Sequence, residues 1–229
     1  MKEIIEYVES NYNKKDVVHI YSIILRADFE LKNQNNNILF ELKQMKDFII
    51  RYDKGFKMMF INKTFNINNL SELVEYIYNY YEEKYPIDYD YRLIDPIYFS
   101  LFFYDLLDKI INVKEDTINI KDIRLLRYKS NSVTMKESER YRALIDKNYK
   151  MYSPFKSNLV CETPEERLDN ILKSIKVNGY GYNNQFAIFY NDEPYIRDGQ
   201  HRVSAVKYLN GDINIKIIRF YLKNNYFYE

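Results

Sequence analysis

The sequence predicts an α/β (or α+β) protein, with a mixed N-terminal region followed by a small α/β unit, and three observations carry that prediction. Apolar residues recur at helical spacing near residues 70–85 and 200–209. They form short strand-like runs over 56–67 and 118–126, the first around the turn pair Asn62-Lys63. At 194–209 a short extended segment turns through Asp198-Gly199 into a helix, the strand–turn–helix order of α/β units. A chain of 229 residues can bury a substantial core as one large domain or two small ones. A division near 115/116 is expected, giving an unassigned mixed region (1–115) and a second region (116–229).

Taken in order, residues 1–12 place Ile4, Ile5 and Val8 on one side of a helix. Residues 17–25 read as a strand closed by Arg26-Ala27-Asp28, with His19 as a structural histidine inside it. The Asn-rich stretch 33–37 favours a turn. Residues 38–51 are expected to be helical in their second half, with a strand beginning at Ile38 and Phe40 as the alternative. Lys54-Gly55 punctuates, and 56–61 with 64–67 make a hairpin. Asn69 or Ser71 caps a helix that runs to about Tyr85 on a stripe of Leu70, Leu73, Ile77 and Tyr81, and Pro86 stops it. A strongly apolar, aromatic helix is expected after Asp95-Pro96 as far as Val113, as core more than as partner face. The charged stretch 114–116 would then connect two parts, 118–126 form a strand, and 134–147 a helix opened by a Thr134/Glu137 capping box. Ser130, Ser132 and Thr134 could touch a substrate, although loop and cap roles are the commoner reading.

Charge and cysteine content narrow the function classes. Thirty-four Lys and Arg against 33 Asp and Glu leave a net charge of +1, which argues against a dedicated nucleic-acid binder. A single cysteine, Cys161, rules out an intrachain disulfide framework and a cysteine-rich zinc site. Met1-Lys2-Glu3 opens a charged helix instead of a cleavable signal, and no apolar run is long enough to span a bilayer, so a cytoplasmic protein is expected. The excess of Tyr, Asn, Ile and Lys reads as the coding bias of an AT-rich genome, so the 25 tyrosines are not a functional signal.

The chemistry concentrates in Asp198-Gly199-Gln200-His201-Arg202. A strand that turns into a helix here leaves the first backbone N–H groups of the helix without intrahelical acceptors. With the positive end of the helix dipole, they suit a phosphate or carboxylate. Gly199 lets a ligand approach the backbone, and Arg202 adds a permanently charged fork. Asp198 could hold a metal ion or orient a hydroxyl, and His201 could bind phosphate or move a proton. Singly these residues read as an N-cap, a turn glycine and a surface cation. Crowded into one turn, with one of only two histidines in the chain, they favour a site. The following helix is expected to bury Val203, Ala205, Val206 and Leu209 and to carry Lys207 on its polar face.

Those residues, with Ala205 and Leu209-Asn210-Gly211, resemble the DGHHR-type signature of the ParB/sulfiredoxin fold superfamily. The resemblance extends over about 157–222: a helix around 167–175 followed by Asn178-Gly179, two strand segments at 187–189 and 194–196, and a closing strand over 213–220. Gln200 stands where sulfiredoxins carry their catalytic cysteine, which argues against cysteine sulfinic acid repair. ParB proper adds a helix-turn-helix domain and an Arg-rich motif, neither of which is expected here. The pattern is most similar to the free-serine kinases of the superfamily and to proteins of bacterial surface-polysaccharide clusters. That resemblance implies a nucleotide-dependent phosphotransferase acting on a hydroxyl of a small metabolite, an amino acid or a sugar, with ATP or ADP and Mg2+. Gly199, Gln200, His201 and Arg202 would hold phosphates with help from Lys129, and Asp198 would position magnesium or the acceptor. A carboxylate just before the long helix would be the general base; Glu162 is the choice, with Asp169 as a solvent-facing fallback. Thr163, Pro164 and Glu166 are left to cap that helix. The alternatives are a non-catalytic nucleotide-binding switch, in the manner of the CTP-binding ParB branch, and a nucleic-acid-binding protein. The N-terminal region is expected to complete the acceptor pocket or to form a homo-oligomer contact.

Overall fold

The computed structural model describes residues 1–33, 40–45, 48–52, 55–95, 98, 106–126, 131–151 and 163–223. They fall into two units, drawn chiefly from Met1–Pro86 with Asp90–Asp108 and from Lys109–Lys156 with Cys161–Glu229.

In the first unit, helix α1 (Lys2–Asn11) buries Ile4 and Val8. Residues 17–25 are not a strand but the middle of a 20-residue helix, α2 (Lys14–Asn33). Val17, Val18, Ile20, Tyr21, Ile23, Ile24, Leu25 and Ala27 are all at most 2% exposed. A helix buried on every side has no polar stripe, so its sequence shows a continuous apolar run instead of a 3.6-residue rhythm. His19 is half-buried on this helix. The helix expected in 38–51 is also overturned: β1 (Phe40–Met45) and β2 (Phe48–Tyr52) are antiparallel strands, so the alternative of a strand start holds at Phe40, Ile38 lies outside the described residues, and the second half is strand and not helix. Strand pairing with β3 (Phe56–Phe60) and then β4 (Thr64–Ile67) decides this against local helix preference, giving a four-stranded meander in sequence order. The β3–β4 hairpin and helix α3 (Leu70–Lys84) stand where the pattern placed them. Asn69 caps α3 by accepting from the Glu72 N–H, and Leu70, Leu73, Ile77 and Tyr81 are buried. Residues 34–37, and 97 and 99–105 of the aromatic helix expected after Pro96, lie outside the described residues, while 106–109 form a turn and not a helix.

The second unit is built on a sheet of order β5-β10-β8-β9. β5 (Ile110–Asn119) takes in the end of that expected helix and the supposed connector 114–116. It pairs antiparallel with β10 (Asn214–Leu222) along its whole length. Its charges sit in a strand because β10 answers them: Lys216 pairs with Glu115 and Arg219 with Asp116. β10 is parallel to β8 (Ala187–Tyr190), which is antiparallel to β9 (Ile196–Asp198). Residues 118–126 are not one strand. A turn at Ile120–Asp122 separates β5 from β6 (Arg124–Leu126), which forms a short ribbon with β7 (Ser132–Thr134). The Arg124 N–H donates to the Pro194 carbonyl at 2.9 Å and ties the ribbon to the β8–β9 connection.

Three helices complete the unit. Before α4 (Glu139–Asp146), the Thr134 N–H donates to the Glu137 carboxylate in a short separate turn, so the capping box forms one turn ahead of the helix; Ser138 caps α4 itself. α5 (Pro164–Asn178) has the expected Thr163/Glu166 capping box and Pro164 in its first turn. α6 (Gln200–Asn210) lies between two apolar clusters: Val203 and Val206 join Ala187, Phe189, Ile196 and Ile217, while Ala205 joins Ala143, Leu144, Leu168 and Leu172. Covered on both sides, α6 buries Lys207 as well (7% exposed), against the expectation of a polar face. Lys207 is held by Asp212 and lies over the Tyr141 ring.

Candidate functional site

The site begins where β9 ends. Asp198 is opposite Ile188 of β8, and Gly199 turns the chain with φ 87° and ψ 10°, a left-handed conformation that costs other residues energy. Close packing makes the same demand. A Cβ on Gly199 would stand 2.9 Å from the Ala187 Cα, 3.0 Å from its Cβ and 3.2 Å from Arg202 Nη2. The Val203 N–H then donates to the Gly199 carbonyl at 2.9 Å and starts the ladder of α6. The N–H groups of Gln200, His201 and Arg202 precede that ladder and so have no intrahelical acceptor.

The cap is therefore the glycine, not Asp198. The Asp198 carboxylate accepts from Arg202 Nη2 at 2.9 Å, and the same nitrogen reaches the Phe186 carbonyl at 3.4 Å. Arg202 braces the turn it was expected to equip for ligand binding. The Tyr180 hydroxyl accepts from the Ala187 N–H at 2.9 Å, and burial pushes its pKa up to about 12. Its neighbours in charge are Arg202 and Asp198, so Tyr180 is a member of the cluster that sequence reasoning missed.

His201 is half-buried on the second residue of α6. Burial first, then the guanidiniums of Arg140, Arg167 and Arg202, push its imidazole well below the usual histidine range, so it is neutral at about pH 7. Arg140 is the second residue of α4, Arg167 the fourth of α5 and Arg202 the third of α6. Three helices thus bring an arginine in the N-terminal turn within electrostatic reach of one imidazole. Neither Arg140 nor Arg167 was legible beforehand, because no sequence spacing links them to 198–202.

No family model matches the chain, and no curated protein or solved structure is significantly similar to it.

Glu162 and Lys129, the expected base and the accessory phosphate ligand, lie outside the described residues, as do Cys161 and Ser130. Asp169 is half-buried on α5, not solvent-facing, with Lys147 in electrostatic reach. Ser132 is an exposed β7 residue, and Thr134 donates through both its N–H and Oγ1 to the Glu137 carboxylate, which is cap work. No group of three or more His, Cys, Asp or Glu side chains suited to a metal occurs among the described residues. A magnesium ion at Asp198 would share that carboxylate with Arg202. This fits an ion carried in on phosphates, which needs only one or two protein carboxylates, and does not fit a protein-built cage. A groove of about 610 Å³ along α4, lined by Thr134, Glu137, Tyr141, Arg142 and Ile145 among others, contains none of the motif residues. No helix among the described residues is long and apolar enough to cross a membrane.

Proposed function

We propose that the turn at Gly199 and the start of α6 bind phosphoryl groups of a nucleotide, and that the protein is a nucleotide-dependent phosphotransferase acting on a hydroxyl of a small metabolite. The observation that carries this reading is the Gly199 turn itself. A left-handed glycine packed against Ala187 starts a buried helix whose first N–H groups, beside His201 and Arg202, precede the helical ladder. A further support is the order α5, Gly179, β8, β9, Asp198-Gly199, α6, β10, which is the order that the resemblance to the ParB/sulfiredoxin superfamily implies. In this reading Gly199, Gln200 and His201 contact phosphate directly, and Arg202 does so from its pairing with Asp198. Asp198 contributes one carboxylate to a nucleotide-borne Mg2+, which would neutralise phosphate charge. Lys129 assists, and Glu162 takes the acceptor's hydroxyl proton. Such transfer asks the protein mainly for positioning and charge neutralisation. An amino acid or a sugar of surface-glycan synthesis is the acceptor class, in the cytoplasm where nucleotides are held.

A second reading, a nucleotide-binding switch without catalysis, draws on the Asp198–Arg202 pair, which engages the carboxylate that a catalytic metal would need. Binding of ATP, ADP, CTP and GTP with magnesium, measured on wild type and His201→Ala, followed by mass spectrometry of an amino-acid and sugar panel, tests both. Binding weakened in the variant, with a phosphorylated acceptor in the wild type, is the expected result. Binding without any transferred phosphoryl group would overturn the phosphotransferase reading in favour of the switch. No nucleotide bound by the folded wild type would remove both. Arg202→Ala is the poorer probe because the Asp198 and Phe186 contacts make it a folding variant as well.

A further inference from the structure

We propose that β5 pairs edge to edge with β5 of a second copy of this chain, joining two four-stranded sheets into one across a two-fold axis at Glu115. This edge is the opposite side of the sheet from the Gly199 turn, and the pairing does not depend on what binds there.

The backbone of β5 is open on one side. It has β10 as one neighbour and, among the described residues, no strand as the other. Antiparallel pairs alternate between those that exchange both backbone bonds and those that exchange none. The Ile120 N–H donates to the Ile213 carbonyl at 3.0 Å, and the register then runs unbroken from Asn119 opposite Asn214 to Asn112 opposite Tyr221. Lys114, Asp116 and Ile118 therefore turn their N–H and C=O groups to β10, while Val113, Glu115 and Thr117 turn theirs to the free edge. The Thr117 N–H fits this direction. It donates at 2.7 Å to the carboxylate of its own neighbour Asp116, a side chain standing where a strand would be. Lys114, Glu115, Asp116 and Thr117, the middle of the edge, are all exposed.

Charges in an edge strand ordinarily keep a second chain away. The order of signs here does the reverse. Opposing residues in an antiparallel pair share one orientation, so two identical edges related by a two-fold axis must centre on a residue. Centred on Glu115, each Lys114 stands opposite the Asp116 of the other copy, at positions where opposing side chains come closest. Val113 meets Thr117 and Asn112 meets Ile118 in the same register. Centring on Lys114 or on Asp116 would oppose like charges at the axis and create no pair of opposite sign. At the Glu115 axis the two carboxylates face each other, but each is held by its own Lys216 at 2.6 Å.

Within one chain Lys114 is misplaced. Arg219 of β10 stands directly opposite it, cation against cation, and the acid that balances Arg219 is Asp116, at 2.5 Å. Lys114 lies 5.5 Å from the centre of the Tyr221 ring and has no carboxylate partner among the described residues. A second copy resolves both features. The Thr117 N–H passes to the Val113 carbonyl of the other strand, and the Asp116 oxygen it leaves accepts the other Lys114.

A ladder of this length buries less than a standard interface, so the dimer is expected to be weak, with a dissociation constant of about 1–100 μM. Sedimentation equilibrium on the full chain across that range tests it. Lys114→Glu sets acid against acid at both crossings, while Arg219 receives the new carboxylate within its own chain; dimerisation should weaken at least about tenfold. Thr117→Pro removes an outward N–H that β10 does not use, a change edge strands tolerate, and should abolish the dimer. Lys121→Glu, the same charge change at an exposed position in the turn after β5, is the control and is expected to alter nothing. Amide hydrogen exchange of the wild type gives a pattern specific to this edge and needs no variant to fold. Val113, Glu115 and Thr117 should gain protection as concentration rises, while Lys114 and Asp116 are protected throughout. A chain that stays monomeric up to about 500 μM overturns the proposal. So does a dimer undiminished in either variant, or protection gained with concentration anywhere but at the outward amides of β5.

Discussion

Replacing Gly199 by alanine tests whether the turn is built as tightly as its geometry implies. At φ 87° the left-handed conformation costs an alanine roughly 1–2 kcal/mol. The added methyl carbon then meets the Ala187 Cα at 2.9 Å and Cβ at 3.0 Å, well inside the separation of about 3.5–4.0 Å at which carbons attract. Ala187 cannot yield: it is fully buried and pairs with Ile217 of the central strand. Relief must come from shifting β8 or α6, at about 1–3 kcal/mol for an overpacked core. The two contributions together predict a loss of roughly 2–5 kcal/mol from the second unit. Native-state hydrogen exchange at the amides of Ile217, Ile218 and Phe220 reads that unit alone, because those residues lie in β10. Gly211→Ala is the comparison. Gly211 also has positive φ (76°), but nothing lies within 4 Å of its absent Cβ, so only backbone strain is added, about 1–3 kcal/mol. A Gly199→Ala loss of no more than about 1–2 kcal/mol, the backbone strain alone, would refute the close-contact argument.

Two other perturbations follow from charges in the same unit. Because burial and three arginines hold His201 neutral, the unfolded chain takes up that proton first as the pH falls. Stability is complete above about pH 6.5 and is lost progressively below it, towards the folded-state pKa. Urea unfolding between about pH 7.5 and pH 5 should show this slope flattened in His201→Gln, and an unchanged slope would mean that His201 is not the group responsible. Arg219, nearly buried, pairs with Asp116 and donates through Nη1 to the Asn191 and Glu193 carbonyls at 3.0 and 2.9 Å. Arg219→Met should cost roughly 2–4 kcal/mol by loosening the β8–β9 connection, and a loss under about 0.5 kcal/mol in denaturant titration would show those bonds to be dispensable.

What the sequence disclosed was local. Asn69, the Leu70–Tyr81 stripe and Pro86 set the limits of α3 within a few residues of one another, and Thr163, Pro164 and Glu166 do the same for the start of α5. What it concealed was decided at a distance. α2 reads as a strand because burial on all sides removes the polar rhythm that would have marked a helix. β1, β2 and the first half of β5 read as helix because their strand character comes from partners: β1 and β2 from each other, β2 also from β3, and β5 from β10. The site divides along the same line. Asp198 through Arg202 are contiguous and were legible, although the cap proved to be Gly199 and Arg202 proved to brace the turn. Arg140 and Arg167 come from two other helices, and only the folded chain brings them within electrostatic reach of His201.

The position of β10 also bears on how the second unit folds. Asn119 and Asn214, joined side chain to side chain at 2.8 Å, are 95 residues apart, and the β5–β10 ladder cannot close until that whole span has been gathered. Closing so long a loop precedes the reward from its contacts, which makes such topologies slow. The β8–β9 hairpin and the individual helices can form early from near neighbours, but the centre of the sheet is laid down last. Until then β8, whose four residues are all buried in the finished sheet, presents an unpaired edge, the kind of surface that recruits another chain. Ligands that prefer the finished Gly199 turn would act after that step. They would hold the completed sheet closed without hastening its assembly.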